Sequence, residues 1–164
     1  ENRKLNIPKE TLKHSNEGDF TNPRNPKKIK PGEIRLKSGG HGETNIGLLN
    51  EKQIEYNVIK EYPNGVRCGN VPTHKVPAKK SGLGQVWFPK SWNEKKIKDA
   101  GEYVSNLKDK NKYILQEFKV NDEIVALYKF ANYDEVTVCV CYNTKIKRVM
   151  TIFPDEKQRM IGGD

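Results

Sequence analysis

The sequence predicts an α+β domain, on three observations. One stretch after residue 90 carries apolar residues at helical spacing, the last third is a series of short strand-like runs separated by turns containing Asn or Asp, and the helical material precedes the strands. Strands alternating with helices would indicate a parallel sheet, whereas helices followed by hairpin-linked strands indicate an antiparallel meander packed on helical material.

In chain order, residues 1 to 40 are poor in apolar side chains, and Pro23, Pro26, Pro31 and Gly32 interrupt regular structure, so this part reads mostly as loop. A short helix is expected over Pro8 to Lys13, with Pro8 in the first turn and Glu10 favouring the helix dipole, which delivers His14 at or just past its end. From Ile54, the residues Tyr56, Val58 and Ile59, a Pro63-Asn64-Gly65 turn, then Val66, Cys68 and Val71 read as a hairpin. Residues 72 to 86, with Pro72, Pro77, Gly82 and Gly84, return to loop. Ser91-Trp92-Asn93-Glu94 has the spacing of a capping box, and Ile97, Ala100, Tyr103, Val104 and Leu107 recur at helical spacing behind it, which predicts the main helix over roughly 91–107. Four strands follow: Tyr113 to Val120, Ile124 to Phe130, Val136 to Tyr142 and Ile146 to Phe153, with turns at Asn121-Asp122 and Asn143-Thr144. No internal repeat is present.

At 164 residues, with 34% hydrophobic and 31% charged side chains, the chain is long enough for one packed domain and not depleted enough for disorder. A formal net charge of +9 concentrates polyanions at the surface, so nucleic acid is the first candidate partner, set against a merely solubilising charge. No apolar run approaches the roughly 18–20 residues of a membrane span, and membrane insertion is not expected. The chain starts at Glu1, and a fragment of a longer protein, with a delivery apparatus upstream, is expected. Cys68, Cys139 and Cys141 form neither a disulfide framework nor a zinc motif and read as buried small hydrophobes.

The chemistry must come from few groups. The three histidines, His14, His41 and His74, lie in no HxH, HExxH or Cys/His cluster, and there is no G-x-S-x-G, so metal-assisted and serine hydrolysis are both disfavoured. General acid and base work remains. RNA carries its own nucleophile, the 2′-hydroxyl, so its cleavage needs a base, an acid and a cation for the phosphorane, which two histidines and a lysine supply. His74, in a Pro-rich loop, reads as structural or exposed; Trp87 and Trp92 read as packing aromatics; Arg67 reads as an exposed hairpin residue.

The segment His14-Ser15-Asn16-Glu17-Gly18-Asp19-Phe20, followed by Ser38-Gly39-Gly40-His41-Gly42, resembles the paired histidine motifs of the EndoU ribonucleases, with a longer loop, residues 21 to 37, between them. Trp87-Phe88-Pro89-Lys90-Ser91-Trp92 resembles the start of the main helix in bacterial members, and Met150-Thr151-Ile152-Phe153-Pro154 their closing strand. With the segment Gly65 to Lys75, these motifs run in order over roughly residues 10 to 156 and look like EndoU toxin domains at the C-termini of contact-dependent inhibition and Maf-type polymorphic toxins.

The resemblance implies an EndoU-like, RNase A-like fold: short N-terminal helices and two antiparallel sheets with one main helix, the active site lying in a groove between sheets. It implies a single domain over 1–164, with a core at about 10–156 and flexible ends at 1–9 and 157–164. His41 becomes the general base and His14 the general acid, roles that could be exchanged, with a 2′,3′-cyclic phosphate and a 5′-hydroxyl as products. A lysine ahead of the main helix completes the set, for which Lys80 is the choice and Lys79 the rival, together with Thr151 near the end. Gly40, whose backbone could approach a phosphate, Lys79 and Phe153 are the expected RNA contacts. Where viral members carry a tyrosine, Phe153 keeps only base stacking, and Gln85-Val86 stands where bacterial members often have Ser-Thr. No cofactor or metal is expected. The implied partners are RNA, with tRNA anticodon loops the natural candidates, and an acidic immunity protein; the implied route is export from one bacterium and action in the cytoplasm of another. The competing readings are a non-catalytic basic RNA-binding module and a protein-interaction domain with incidental charge.

Overall fold

A computed structural model describes residues 4–162. Helix α1 (Lys9–Asn16) follows Pro8, whose extended φ and ψ of −62° and 151° start the helix without a side-chain cap. Strands β1 (Asp19–Phe20) and β2 (Leu36–Ser38) form a small antiparallel pair across the base of the 21–37 loop. Helix α2 (Glu43–Glu51) comes next, followed by β3 (Asn57–Glu61), β4 (Arg67–Asn70) and β5 (Gln85–Trp87), a three-stranded antiparallel sheet in that order. Helix α3 (Glu94–Asn106) leads into the four-stranded meander β6 (Tyr113–Val120), β7 (Glu123–Tyr133), β8 (Val136–Asn143) and β9 (Arg148–Pro154).

The α+β class and the EndoU-like arrangement of helices and antiparallel strands hold. The meander lies where the strand-like runs and their turns placed it, and its first turn uses Asn121 and Asp122 at φ 53° and 66°, left-handed values that short polar side chains tolerate and that match the twist of a hairpin. Three differences stand out. The sheets number three among the described residues, where two were expected. The cap of α3 is Asn93, whose side chain accepts from the Lys96 amide, so the helix starts three residues after Ser91. Helix α2 and strand β5 arise in stretches without a legible periodicity.

Two cores hold the elements. The apolar face of α3, with Ile97, Ala100 and Val104, packs on Val138, Val140 and Ile152 of the meander, joined by Phe88 and Trp92. Leu36, Ile46, Leu49, Ile54, Val71 and Trp87 form a smaller core between α2 and the three-stranded sheet. Both tryptophans are buried packing groups, as expected. Arg67 departs from its exposed reading: it is buried, with Nη1 donating to Glu43 Oε1 at 2.7 Å and Nη2 to the Phe88 carbonyl. The three cysteines are free; Cys68 and Cys139 are buried, and burial pushes the Cys139 thiol far up, so it is an inert hydrophobe.

The ends expected to be flexible are tied down over their described part. Leu5 exchanges two hydrogen bonds with the Asn106 side chain, Ile7 belongs to the larger core, and Gln158 bonds both the backbone N–H and the carbonyl of Thr137. Residues 1–3 and 163–164 lie outside the described residues. No helix is long and apolar enough to cross a membrane among the described residues.

Candidate active site

The two histidine segments are joined through their backbones. Helix α1 ends with carbonyls that have no intrahelical partner, and those of His14, Ser15 and Asn16 accept in turn from the N–H groups of Gly40, His41 and Gly42, at 3.0, 2.6 and 3.1 Å. The chain between 39 and 42 must therefore lie flat against the helix end. Gly39 and Gly40 allow it: both have positive φ, 66° and 79°, and a Cβ would meet the His14 carbonyl oxygen at 2.2 Å from the first and the Asn45 side chain at 2.4 Å from the second.

Helix α1 is in turn fixed to the closing strand, with Thr11 Oγ1 donating to the Val149 carbonyl at 2.6 Å and Ser15 Oγ accepting from the Ile152 amide at 2.9 Å. The β8–β9 register slips between the Cys141–Thr151 and Tyr142–Val149 pairs, which makes Met150 a bulged residue. Strict alternation would put Val149, Thr151 and Phe153 on one face. With the bulge, Val149 and Ile152 enter the core while Thr151 and Phe153 line a cleft.

That cleft, of about 310 Å³, is lined by His14, His41, Lys79, Thr151 and Phe153, with Gly84 and Val86 from the segment of β5. His14 Nδ1 lies 2.6 Å from Asp19 Oδ2, which also accepts from Ser38 Oγ at 2.9 Å. Burial acts to raise the Asp19 carboxyl, but the hydrogen bonds from His14 and Ser38 outweigh it and hold it below the usual carboxylate range. His41 Nδ1 lies 2.8 Å from the Val86 carbonyl, which can only accept, so the proton of the neutral ring sits on Nδ1. Burial, then the charge of Lys79, push His41 down to about 3. Both imidazoles thus have Nδ1 engaged and Nε2 free of a protein partner among the described residues. The Phe153 ring packs beside His41, with centroids 5.5 Å apart and planes tilted by 39°.

Lys79 ends a short 3₁₀ turn, Pro77–Lys79, and burial lowers its ammonium pKa. No carboxylate comes within ion-pair distance of it among the described residues, so its charge is left for an anion in the cleft. Thr151 Oγ1 is buried and also lacks a hydrogen-bond partner. A buried neutral imidazole, a second imidazole fixed by a carboxylate, a cation without an ion-pair partner and a hydroxyl without a hydrogen-bond partner converge on one space. Among the described residues, no three His, Cys, Asp or Glu side chains group so as to hold a metal ion.

The model of the bacterial EndoU nuclease family matches residues 8–156 of the chain.

The chain belongs to the bacterial EndoU nucleases.

No curated protein and no solved structure matches it. The match spans every residue of the cleft, from His14 to Glu156, and supports a nuclease function. Of the site residues expected from sequence, the EndoU fold brings together His14, His41, Lys79, Thr151 and Phe153. It does not bring in Lys80, which is exposed and outside the cleft while its neighbour points in. Gly40 is not a free phosphate contact either: its N–H goes to His14 and its carbonyl accepts from Gln85 Nε2 at 2.8 Å. His74 is fully buried, its Nδ1 accepting from the Val76 amide, in keeping with a structural role. Asp19 is the functional residue that sequence reasoning passed over. Its signal was present, as the aspartate of the His14 motif five residues on, in reach of the ring once helix α1 ends.

Proposed function

We propose that this EndoU domain is an RNA endonuclease that cuts by 2′-hydroxyl transphosphorylation, needing no metal. In this reading His41 Nε2 takes the proton of the 2′-hydroxyl, which attacks the adjacent phosphorus. His14 Nε2 delivers a proton to the departing 5′-oxygen. Lys79 and the Thr151 hydroxyl face the non-bridging oxygens as charge builds on the phosphorane. Phe153 offers a stacking surface to the base of the nucleotide whose ribose carries the nucleophile. The products are a 2′,3′-cyclic phosphate and a 5′-hydroxyl.

The observation that carries the reading is the pairing of two imidazoles, each with Nδ1 held by an acceptor and Nε2 free, in one cleft beside an unpaired lysine. A neutral, buried His41 suits the base, and a His14 backed by an ionised carboxylate suits the acid.

The +9 charge supports RNA as the target, and the motifs shared in order with EndoU toxin domains support a toxin used between bacteria, carried as part of a larger exported protein and acting in the cytoplasm of the target cell. Single-stranded loops such as the tRNA anticodon loop, whose backbone reaches in-line geometry easily, are the proposed substrate. An acidic immunity protein covering the cleft is the proposed partner.

Wild-type, His14→Ala and His41→Ala proteins incubated with total bacterial RNA in EDTA test the chemistry. Discrete fragments with cyclic-phosphate ends from wild type alone are expected; loss of cutting in EDTA, or full activity of either variant, overturns it. Expression in a bacterium lacking the immunity protein should be toxic and relieved by a folded His41→Ala variant.

A further inference from the structure

The cleft does not end at His14. A second, open groove of about 580 Å³ is also lined by His14, which is thus common to both. Its walls carry Lys13, Lys37 and Lys52, all exposed, and the half-buried ring of Phe20. Lys37 is the extra residue where the β1–β2 register slips between the Asp19–Ser38 and Phe20–Leu36 pairs. Three carboxylates also line the groove. Asp19 is taken by His14 and Ser38, and Glu10 faces Arg148 at 3.7 Å, which leaves Glu17 against three lysines. Phe20 packs on the core of Leu36 and Trp87, and Lys52 Nζ stands 5.1 Å from its ring centroid. An exposed lysine yields such a ring face readily to a base, and its ammonium can then meet a phosphate.

We infer that this groove is the subsite for the nucleotide on the 3′ side of the cut, with its base on Phe20 and the following phosphates held by Lys13, Lys37 and Lys52. The inference rests on the transphosphorylation reading. There His14 protonates the 5′-oxygen, and that oxygen belongs to the 3′ nucleotide, so the strand leaving the cleft past His14 enters the groove. The nucleotide with the reacting 2′-hydroxyl stays on the opposite side, with His41 and Phe153. An aromatic face flanked by cations is the chemistry that binds single-stranded nucleic acid with little base preference. The domain therefore grips its substrate on both sides of the bond and favours extended RNA over a short ester.

The test compares two substrates with the same 5′ portion, chosen from a cut site mapped in total RNA. One continues for several nucleotides beyond the cut, and the other ends as a 3′-methyl phosphodiester, whose alkoxide still needs the proton from His14. Phe20→Leu keeps the packing against Leu36 and Trp87 but removes the flat face. It should lower the preference for RNA over the ester, as a ratio of kcat/KM, by about tenfold or more, mostly through KM for the RNA. The double variant Lys13→Gln, Lys52→Gln should lower the same ratio and make the salt slope of RNA binding shallower by about 1.4, the single-strand value for two lost phosphate contacts. If wild type cuts only the RNA, the variants should bring RNA cutting down towards the ester level. A preference that neither variant alters, because both substrates suffer equally or not at all, overturns the subsite. Failure of wild type to cut either substrate overturns the transphosphorylation reading instead.

Discussion

Replacing Lys79 by methionine keeps the length of the side chain and removes its charge. Lys79 is the cation of the cleft with no carboxylate beside it, and its ammonium is partly stripped of water, so in the free protein it costs stability. In the proposed transition state it faces the phosphorane. Removing such a donor costs about 10²- to 10³-fold in kcat. The same change should stabilise the fold by about 1 kcal/mol, the usual cost of an active-site group kept for function. A third effect follows from the site itself: after burial, the Lys79 charge is the next cause that holds His41 down at about 3, so the His41 titration should move up towards its ordinary value in the variant. Lys80→Met is the control. Lys80 is exposed and outside the cleft, so stability should stay within about 0.5 kcal/mol and cutting within a few-fold. Single-turnover cleavage in EDTA, urea unfolding and NMR titration of the imidazole read the three effects separately. A Lys80→Met loss equal to or larger than that of Lys79→Met refutes the assignment, as does an unmoved His41.

Asp19→Asn should lower kcat by about 10²-fold through loss of the carboxylate that fixes the His14 ring, with a smaller loss of stability because the amide oxygen can still accept from Ser38; single-turnover rates that match wild type sink this role. Gly39→Ala should cost about 2 kcal/mol or more of stability, since the left-handed φ and a Cβ 2.2 Å from the His14 carbonyl oxygen both oppose it, and a normal denaturation midpoint would show that the 39–42 segment does not press on the helix end. Stability should also fall with acid. Burial, then Lys79, push His41 to about 3 and His74 to about 4, against 6.5 when unfolded, so between pH 6.5 and about 4 the unfolded chain binds two protons that the native one does not. The slope is up to about 1.4 kcal/mol per pH unit for each, with the stability fully present above 6.5, and a urea midpoint that stays flat over this window contradicts two buried neutral rings.

The meander was legible because its signals are local: Tyr113 to Val120 is a short run rich in aromatic and aliphatic residues, and Asn121-Asp122 is a turn by backbone preference alone. Strand β5 was not, since its three residues are held by pairing with β4 and carry no period of their own. Helix α2 was missed because only Ile46 and Leu49, with Asn45, are buried along it, too few to stand out against the polar positions between them. Both histidines, Thr151 and Phe153 were readable from motifs. The choice between Lys79 and Lys80 was not, because a 3₁₀ turn decides which of two adjacent side chains faces inward, and the sequence is equally basic at both. Arg67 was misread for a related reason: its partners, Glu43 and the Phe88 carbonyl, are brought to it only by the tertiary fold.

The long loop between the histidine motifs, residues 21 to 37, separates two segments of one site, and the structure shows why the site tolerates it. Asp19 pairs with Ser38 and Phe20 with Leu36, so the chain leaves and re-enters the site through one antiparallel pair, and everything between emerges at its far end. Loop closure depends only weakly on length, each doubling adding about 0.6 kcal/mol. What must be kept is the contact of the two ends: three carbonyls of α1 against the N–H groups of residues 40–42, and the aspartate that bridges His14 to Ser38. Those contacts use residues inside the motifs alone. The separation of His14 and His41 along the sequence can therefore drift while their separation in space does not, and the same economy explains why the second groove, which opens beside β1 and β2 rather than inside the cleft, draws Lys37 and Phe20 from this pair.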